Sequence, residues 1–167
     1  MNRRAGFTIV ELIIVIVIMA ILLVLAVVNL GSSQISSRDD ERKTDVANIA
    51  RALEQFYTSG TDGSTSTGFY PLTGFIASPT TDLRDIDPVS LRSPGNDDAG
   101  SNLILATTNV DETITGASQQ PTISQYIYQP LDSSGNICTT ESACRSFNLY
   151  YRLEADNTVY KVTSKNQ

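Results

Sequence analysis

A chain of 167 residues, 41 % hydrophobic, has room for one globular domain beside its N-terminal apolar run, and that run inflates the apolar share. There is no histidine for general-base work, no G-x-S-x-G and no P-loop, and the acids are scattered over loop-like segments, so the chain reads as a non-enzyme without a cofactor. The formal net charge of −6 discourages direct nucleic acid binding, which rests on Lys and Arg, and favours solubility outside the cell.

The chain opens on a short basic leader containing Arg3 and Arg4, then turns apolar. From Leu12 to Val28 there is no charge, and Phe7 to Leu30 makes 24 residues in which only Glu11 interrupts. As a helix rising 1.5 Å per residue this spans roughly 36 Å, enough to cross a bilayer. A removable secretory signal would have an apolar region of about 7–15 residues and a small-x-small cleavage site, and neither fits. A plain membrane anchor explains the length but not Glu11, because a carboxylate buried in lipid costs a few kcal/mol. Cutting between Gly6 and Phe7 supplies a partner: the new α-amino group, with a pKa near 8, lies one helical turn from Glu11. In a staggered bundle of identical helices, the amine of one copy can also meet the glutamate of the next and fix the register. Arg3 and Arg4 stand before the span and the next basic residue is Arg38, so the positive-inside bias puts the N-terminus in the cytoplasm and everything after residue 30 outside. Loss of the leader removes both arginines and lowers the net charge by two, to −8.

A basic leader ending in Gly6, then Phe7-Thr8-Ile9-Val10-Glu11-Leu12 and a long apolar run, resembles the class III signal of type IV pilins and type II secretion pseudopilins. The resemblance implies cleavage after Gly6 by a prepilin peptidase and N-methylation of Phe7 by the same enzyme. It also implies assembly through Phe7 and Glu11 into a homopolymeric filament on a membrane assembly platform. Many type IV pilins carry helix-breaking residues within the apolar half, where this chain has Ala20 and Val28; Gly31 is the expected soft point instead.

From Ser37 charges of both signs alternate (Arg38, Asp39, Asp40, Glu41, Arg42, Lys43, Asp45). Simple solvation of a helix surface is the default reading, with specific pairs between subunits as the alternative. Val46, Ile49, Ala50, Leu53, Phe56 and Tyr57 then form the stripe of an amphipathic helix. Thr58 to Gly68 is expected to end it as a flexible connector, or as a glycan-bearing surface, before Phe69-Tyr70-Pro71-Leu72 returns to the core. Phe75 to Ser101 reads as loop with a short helical turn around Val89 to Arg92. Asp82, Asp85 and Asp87, or Asn96, Asp97 and Asp98, carry the oxygens that Ca²⁺ requires, and some pseudopilins bind calcium in such loops. Without EF-hand spacing no metal ligand is assigned.

Ile123 to Leu131, Phe147 to Leu153 and Thr158 to Thr163 read as strands, with Leu103 to Thr107 as a fourth. An antiparallel sheet laid on the Val46 to Tyr57 stripe would bury both. Cys138 and Cys144 are expected to be oxidised outside the cytoplasm, closing a loop between two strands and stabilising by roughly 2 kcal/mol. Metal binding is disfavoured, since two thiols make half a zinc site.

The expected architecture is α+β: leader 1–6, a long helix 7–57 (7–30 membrane-spanning or filament core, 31–57 amphipathic), and a globular head 58–167. The expected function is a filament subunit, made as a single-pass membrane precursor and then displayed on the cell surface for adhesion, motility or DNA uptake. A pseudopilin of a secretion or competence machine and a tip-located adhesin are the alternatives.

Overall fold

The computed structural model describes residues 6–60, 67–72, 83, 86–95, 102–106, 120–140 and 143–166. It combines a long N-terminal helix with a C-terminal four-stranded, mostly antiparallel sheet, an α+β architecture. The chain divides into two compact units, Met1–Ser37 and Arg38–Gln167.

Helix α1 runs Ile9–Ser59. No proline interrupts it, and Gly31, the expected soft point, lies inside it without breaking the helical run. A single glycine costs about 1 kcal/mol relative to alanine, too little to stop a helix of this length. Thr58 and Ser59, expected in the loop, belong to the last turn, and Gly60 closes it at φ 64° with its N–H on the Phe56 carbonyl (2.7 Å). Residues 61–66 of the expected connector lie outside the described residues.

In the second unit the α1 stripe carries the core. Val46, Ile49, Leu53 and Phe56 are buried with Tyr126, Tyr128, Phe147, Leu149 and Tyr151, and Ala50 and Tyr57 pack at the margin. Tyr70 returns the chain to this core, its ring edge-on to Phe147 with centroids 4.9 Å apart. The short helical turn takes 3-10 form over Pro88–Leu91. Asp87 caps it by accepting from the Val89 N–H (2.9 Å).

The strands are β1 (Leu103–Leu105), β2 (Tyr126–Leu131), β3 (Ser146–Arg152) and β4 (Val159–Thr163), in that spatial order. Two pairings are antiparallel, but β1 runs parallel to β2 with Leu103 opposite Tyr126, which corrects the fully antiparallel expectation. Residues 106–125 separate these strands, long enough for the crossover that a parallel pair needs. Strand β2 begins at Tyr126, three residues later than expected, because Ile123 and Ser124 form a turn. Alternation sends Phe147, Leu149 and Tyr151 toward α1 and Asn148 and Tyr150 to the outer face. There Ile127, Tyr150, Val159 and Ala106 make a second small cluster, and the buried Gln129 accepts from Asn148 Nδ2 (2.9 Å) and Tyr150 Oη (3.1 Å).

Between β2 and β3, Asp132 accepts from the N–H groups of Ser134 (2.8 Å) and Asn136 (2.9 Å). Gly135 at φ 81° completes that turn. A disulfide joins Cys138 to Cys144, with Cα atoms 5.4 Å apart, inside the same connection.

The charged segment after Ser37 is not the solvated surface that its composition suggests. Asp39, Arg42 and Asp45 are buried, and Arg42 is only 2 % exposed. Arg42 Nη1 meets Asp39 Oδ1 (2.8 Å), its Nε donates to the Ile123 carbonyl (3.0 Å) and its Nη2 to the Pro94 carbonyl (3.2 Å). Asp39 in turn accepts from the backbone N–H groups of Glu154 (2.8 Å) and Ala155 (2.9 Å) in the β3–β4 turn, and Arg38 grips the Glu154 carboxylate (2.6 Å). Burial pushes the Asp39 carboxyl up, but those two N–H groups and the guanidinium outweigh it and hold it below the ordinary carboxylate range. Farther along α1, Glu54 accepts from Tyr70 Oη (3.0 Å), the Lys165 N–H (2.7 Å) and Asn166 Nδ2 (2.7 Å), stitching the end of the chain to the helix.

Asp45 is different. It lies under Tyr126, whose hydroxyl donates to Oδ2 (2.9 Å), with Ser90 beside it and Glu41 and Asp87 as further negative neighbours. Burial is the main cause that raises its pKa from 3.8 to about 6. A raised folded-state pKa means that the stability this group contributes is complete below its unfolded value and is lost as pH rises through about 6. Asp45→Asn should therefore unfold at higher denaturant than the wild type at pH 7, by roughly 2 kcal/mol, with the difference shrinking toward pH 4. Urea titrations of the full chain in detergent at the two pH values test this; an Asn variant less stable at pH 7 contradicts it.

Candidate processing and assembly site

Gly6 and Phe7 precede α1 in exposed, non-helical chain, and Phe7 is 85 % exposed. A Cβ added at Gly6 would meet nothing within 4 Å. Thr8 is the helix N-cap and Glu11 stands three residues on, in the first turn. Thr8 Oγ1 accepts from the Glu11 N–H (3.2 Å), while Glu11 Oε2 accepts from the Thr8 N–H (3.0 Å) and from Thr8 Oγ1 (2.9 Å). This reciprocal arrangement is a capping box, which satisfies two helix-end donors that would otherwise lack partners.

The carboxylate thus has a local hydrogen-bonding task before any partner arrives. It also places negative charge at the positive end of the helix dipole, where it is favourable. Both bonds to the carboxylate come from Thr8 and end on Oε2, which leaves Oε1 as the atom available to a further donor among the described residues. Sequence reasoning singled out Glu11 but missed Thr8, although the T-x-x-E signature before an apolar run is legible in Thr8-Ile9-Val10-Glu11.

From Leu12 to Val27 the first unit is uncharged and apolar. The large side chains from Ile9 to Val27 are exposed, including Ile14, Leu22 and Leu23. The helix is long and apolar enough to cross a membrane. Such a surface needs lipid or other apolar helices to cover it.

Of the acids weighed as calcium ligands, Asp87 serves as the cap already described, and Asp82, Asp85, Asn96, Asp97 and Asp98 lie outside the described residues. Among the described residues no group of three or more His, Cys, Asp or Glu could hold a metal ion.

Residues 1–27 match the family model described as the prokaryotic N-terminal methylation motif. No curated protein and no solved structure matches the chain. The motif is the class III signal, and with the long apolar helix, the sheet and the disulfide it supports a type IV pilin-like or pseudopilin subunit. Such a signal implies processing by prepilin peptidase and assembly into a pilus-type polymer, a structural rather than an enzymatic role. Together with the apolar helix it points to a membrane-anchored precursor.

Proposed function

We propose that this chain is a structural subunit of a type IV pilus-like filament, cut between Gly6 and Phe7, methylated on Phe7 and polymerised through its N-terminal helix. On this reading residues 1–6 are the leader, 7–30 cross the membrane and later form the filament core, 31–57 continue the helix as its amphipathic part, and 58–167 make the surface head. The observation that carries it is a single carboxylate at the start of an otherwise uncharged, exposed stretch of helix, Ile9 to Val27, within the methylation motif. Cleavage takes two arginines off the cytoplasmic end, so leaving the bilayer no longer drags guanidinium groups through hydrocarbon. The freed amine, mostly protonated at pH 7, then neutralises Glu11 of its own or a neighbouring copy and sets the stagger while apolar surfaces pack.

Mass spectrometry of the N-terminal peptide from sheared cell-surface material tests the proposal. The expected peptide begins with N-methyl-Phe7. In a Gly6→Leu variant the chain should stay in the membrane with its first six residues attached. A native chain that keeps its leader, or a Gly6→Leu variant processed normally, overturns the proposal. Electron microscopy of the same material distinguishes a long surface fibre from the short piston of a pseudopilin.

A further inference from the structure

The face of the sheet turned away from α1 is not uniformly covered. Strand register puts Ser146, Asn148, Lys161 and Thr163 on it together: Asn148 lies opposite Thr163, and Lys161 opposite Tyr150. These residues, the Asp132–Gly135 turn and Arg145, together with Tyr57 and Phe147 from the α1 side of the sheet, border a concavity of about 520 Å³. That size falls within the range of about 300–1,000 Å³ typical of small-molecule sites. We propose that this concavity binds an acidic sugar residue of a polysaccharide, holding its carboxylate with Arg145 and Lys161 and its hydroxyls with the neutral groups around them.

Charge is the first argument. The chain as a whole is acidic, and Arg38, Arg42 and Lys43 are paired with its own carboxylates. Lys161 is exposed and has no carboxylate within salt-bridge distance among the described residues. Arg145 donates through Nη1 to the Gly68 carbonyl, which fixes its guanidinium and leaves the remaining N–H groups for a planar acceptor. Asp132 stands at the rim, but its Oδ1 is held by the N–H groups of Ser134 and Asn136.

The neutral lining is the second argument. Asn148 commits Nδ2 to Gln129 and keeps its carbonyl oxygen for a donor, and Ser133, Ser146 and Thr163 add hydroxyls that both donate and accept. A lone carboxylate side chain from another protein would leave most of these groups without a partner, and a sugar ring brings several hydroxyls at once. A phosphate is disfavoured, because a dianion would meet the negative Asp132 with only two cations to offset it. The site stands on the folded head alone and does not depend on the filament proposal.

The test uses the full chain in detergent micelles, titrated with galacturonate and followed by backbone amide NMR shifts. Saturable shifts should appear at residues bordering the concavity. Galactose, which lacks the carboxylate, and acetate, which lacks the ring, should each bind at least about tenfold more weakly. Lys161→Glu should weaken galacturonate binding by about tenfold or more, and Lys161→Arg should restore it. Arg92→Glu makes the same charge change at an exposed residue outside the concavity and should leave binding unchanged. The proposal is overturned if galacturonate causes no saturable shifts, if galactose or acetate binds equally well, or if the Arg92 variant is weakened as much as Lys161→Glu. It is also overturned if galacturonate is inert while Lys161→Glu alters self-association, which would assign the concavity to a second copy of the chain.

Discussion

Glu11→Val should enter the membrane in normal amounts yet yield filaments reduced by about tenfold or more, because the attractive partner of the Phe7 amine is gone. Insertion should survive for two reasons. Valine is cheaper than glutamate in lipid, and loss of the cap costs about 1 kcal/mol against a helix of 51 residues. The capping box makes a sharper variant available. Glu11→Gln keeps the side-chain oxygen that accepts from the Thr8 N–H, since glutamine serves at this position of a capping box, but it removes the charge. If charge pairing sets the stagger, the Gln variant assembles as poorly as the Val variant. Full filament yield from Glu11→Gln would reduce the role of this residue to capping and would sink the register mechanism. Quantifying sheared filaments against membrane-bound processed subunit separates the two outcomes.

Asp39→Ala should destabilise the head by about 3 kcal/mol, since it leaves the buried Arg42 guanidinium with only its longer contact to the Glu154 carboxylate (3.5 Å). The same change also strips the acceptor from two backbone N–H groups, at Glu154 and Ala155. Asp40→Ala, one residue away, supplies the comparison. Its carboxylate meets Lys43 at 3.0 Å on the exposed side of the same helix, and its loss should cost less than about 1 kcal/mol. Chemical denaturation of both variants in detergent at pH 7 measures the contrast. Equal effects would mean that the Asp39 network contributes no more than a surface ion pair. The sign of its pH dependence is opposite to that of Asp45. With its folded pKa lowered, Asp39 stabilises fully above its unfolded value of 3.8 and loses that contribution as pH falls through the lower folded value.

These two residues mark where sequence reasoning succeeded and where it stopped. The apolar rod, the Val46 to Phe56 stripe and the Tyr-rich strands were legible, because period and composition are local properties and burial follows from them. Glu11 stood out because a carboxylate in an apolar run demands a reason. Its intrachain partner was legible too, in Thr8, and was passed over. The burial of Asp39, Arg42 and Asp45 was not legible, because alternating charges look alike on a wet face and on one covered by a turn more than a hundred residues later. The parallel pairing of β1 was hidden for the same reason: nothing in Leu103–Leu105 specifies the direction of its neighbour.

The Asp39–Arg42–Glu154 network sets a mechanical boundary. From Arg38 onward α1 is clamped by side chains to the β3–β4 turn and to the Ile123 and Pro94 carbonyls. Force applied to this part of α1 should pass directly into the β3–β4 turn, so a pulled head would resist as one piece.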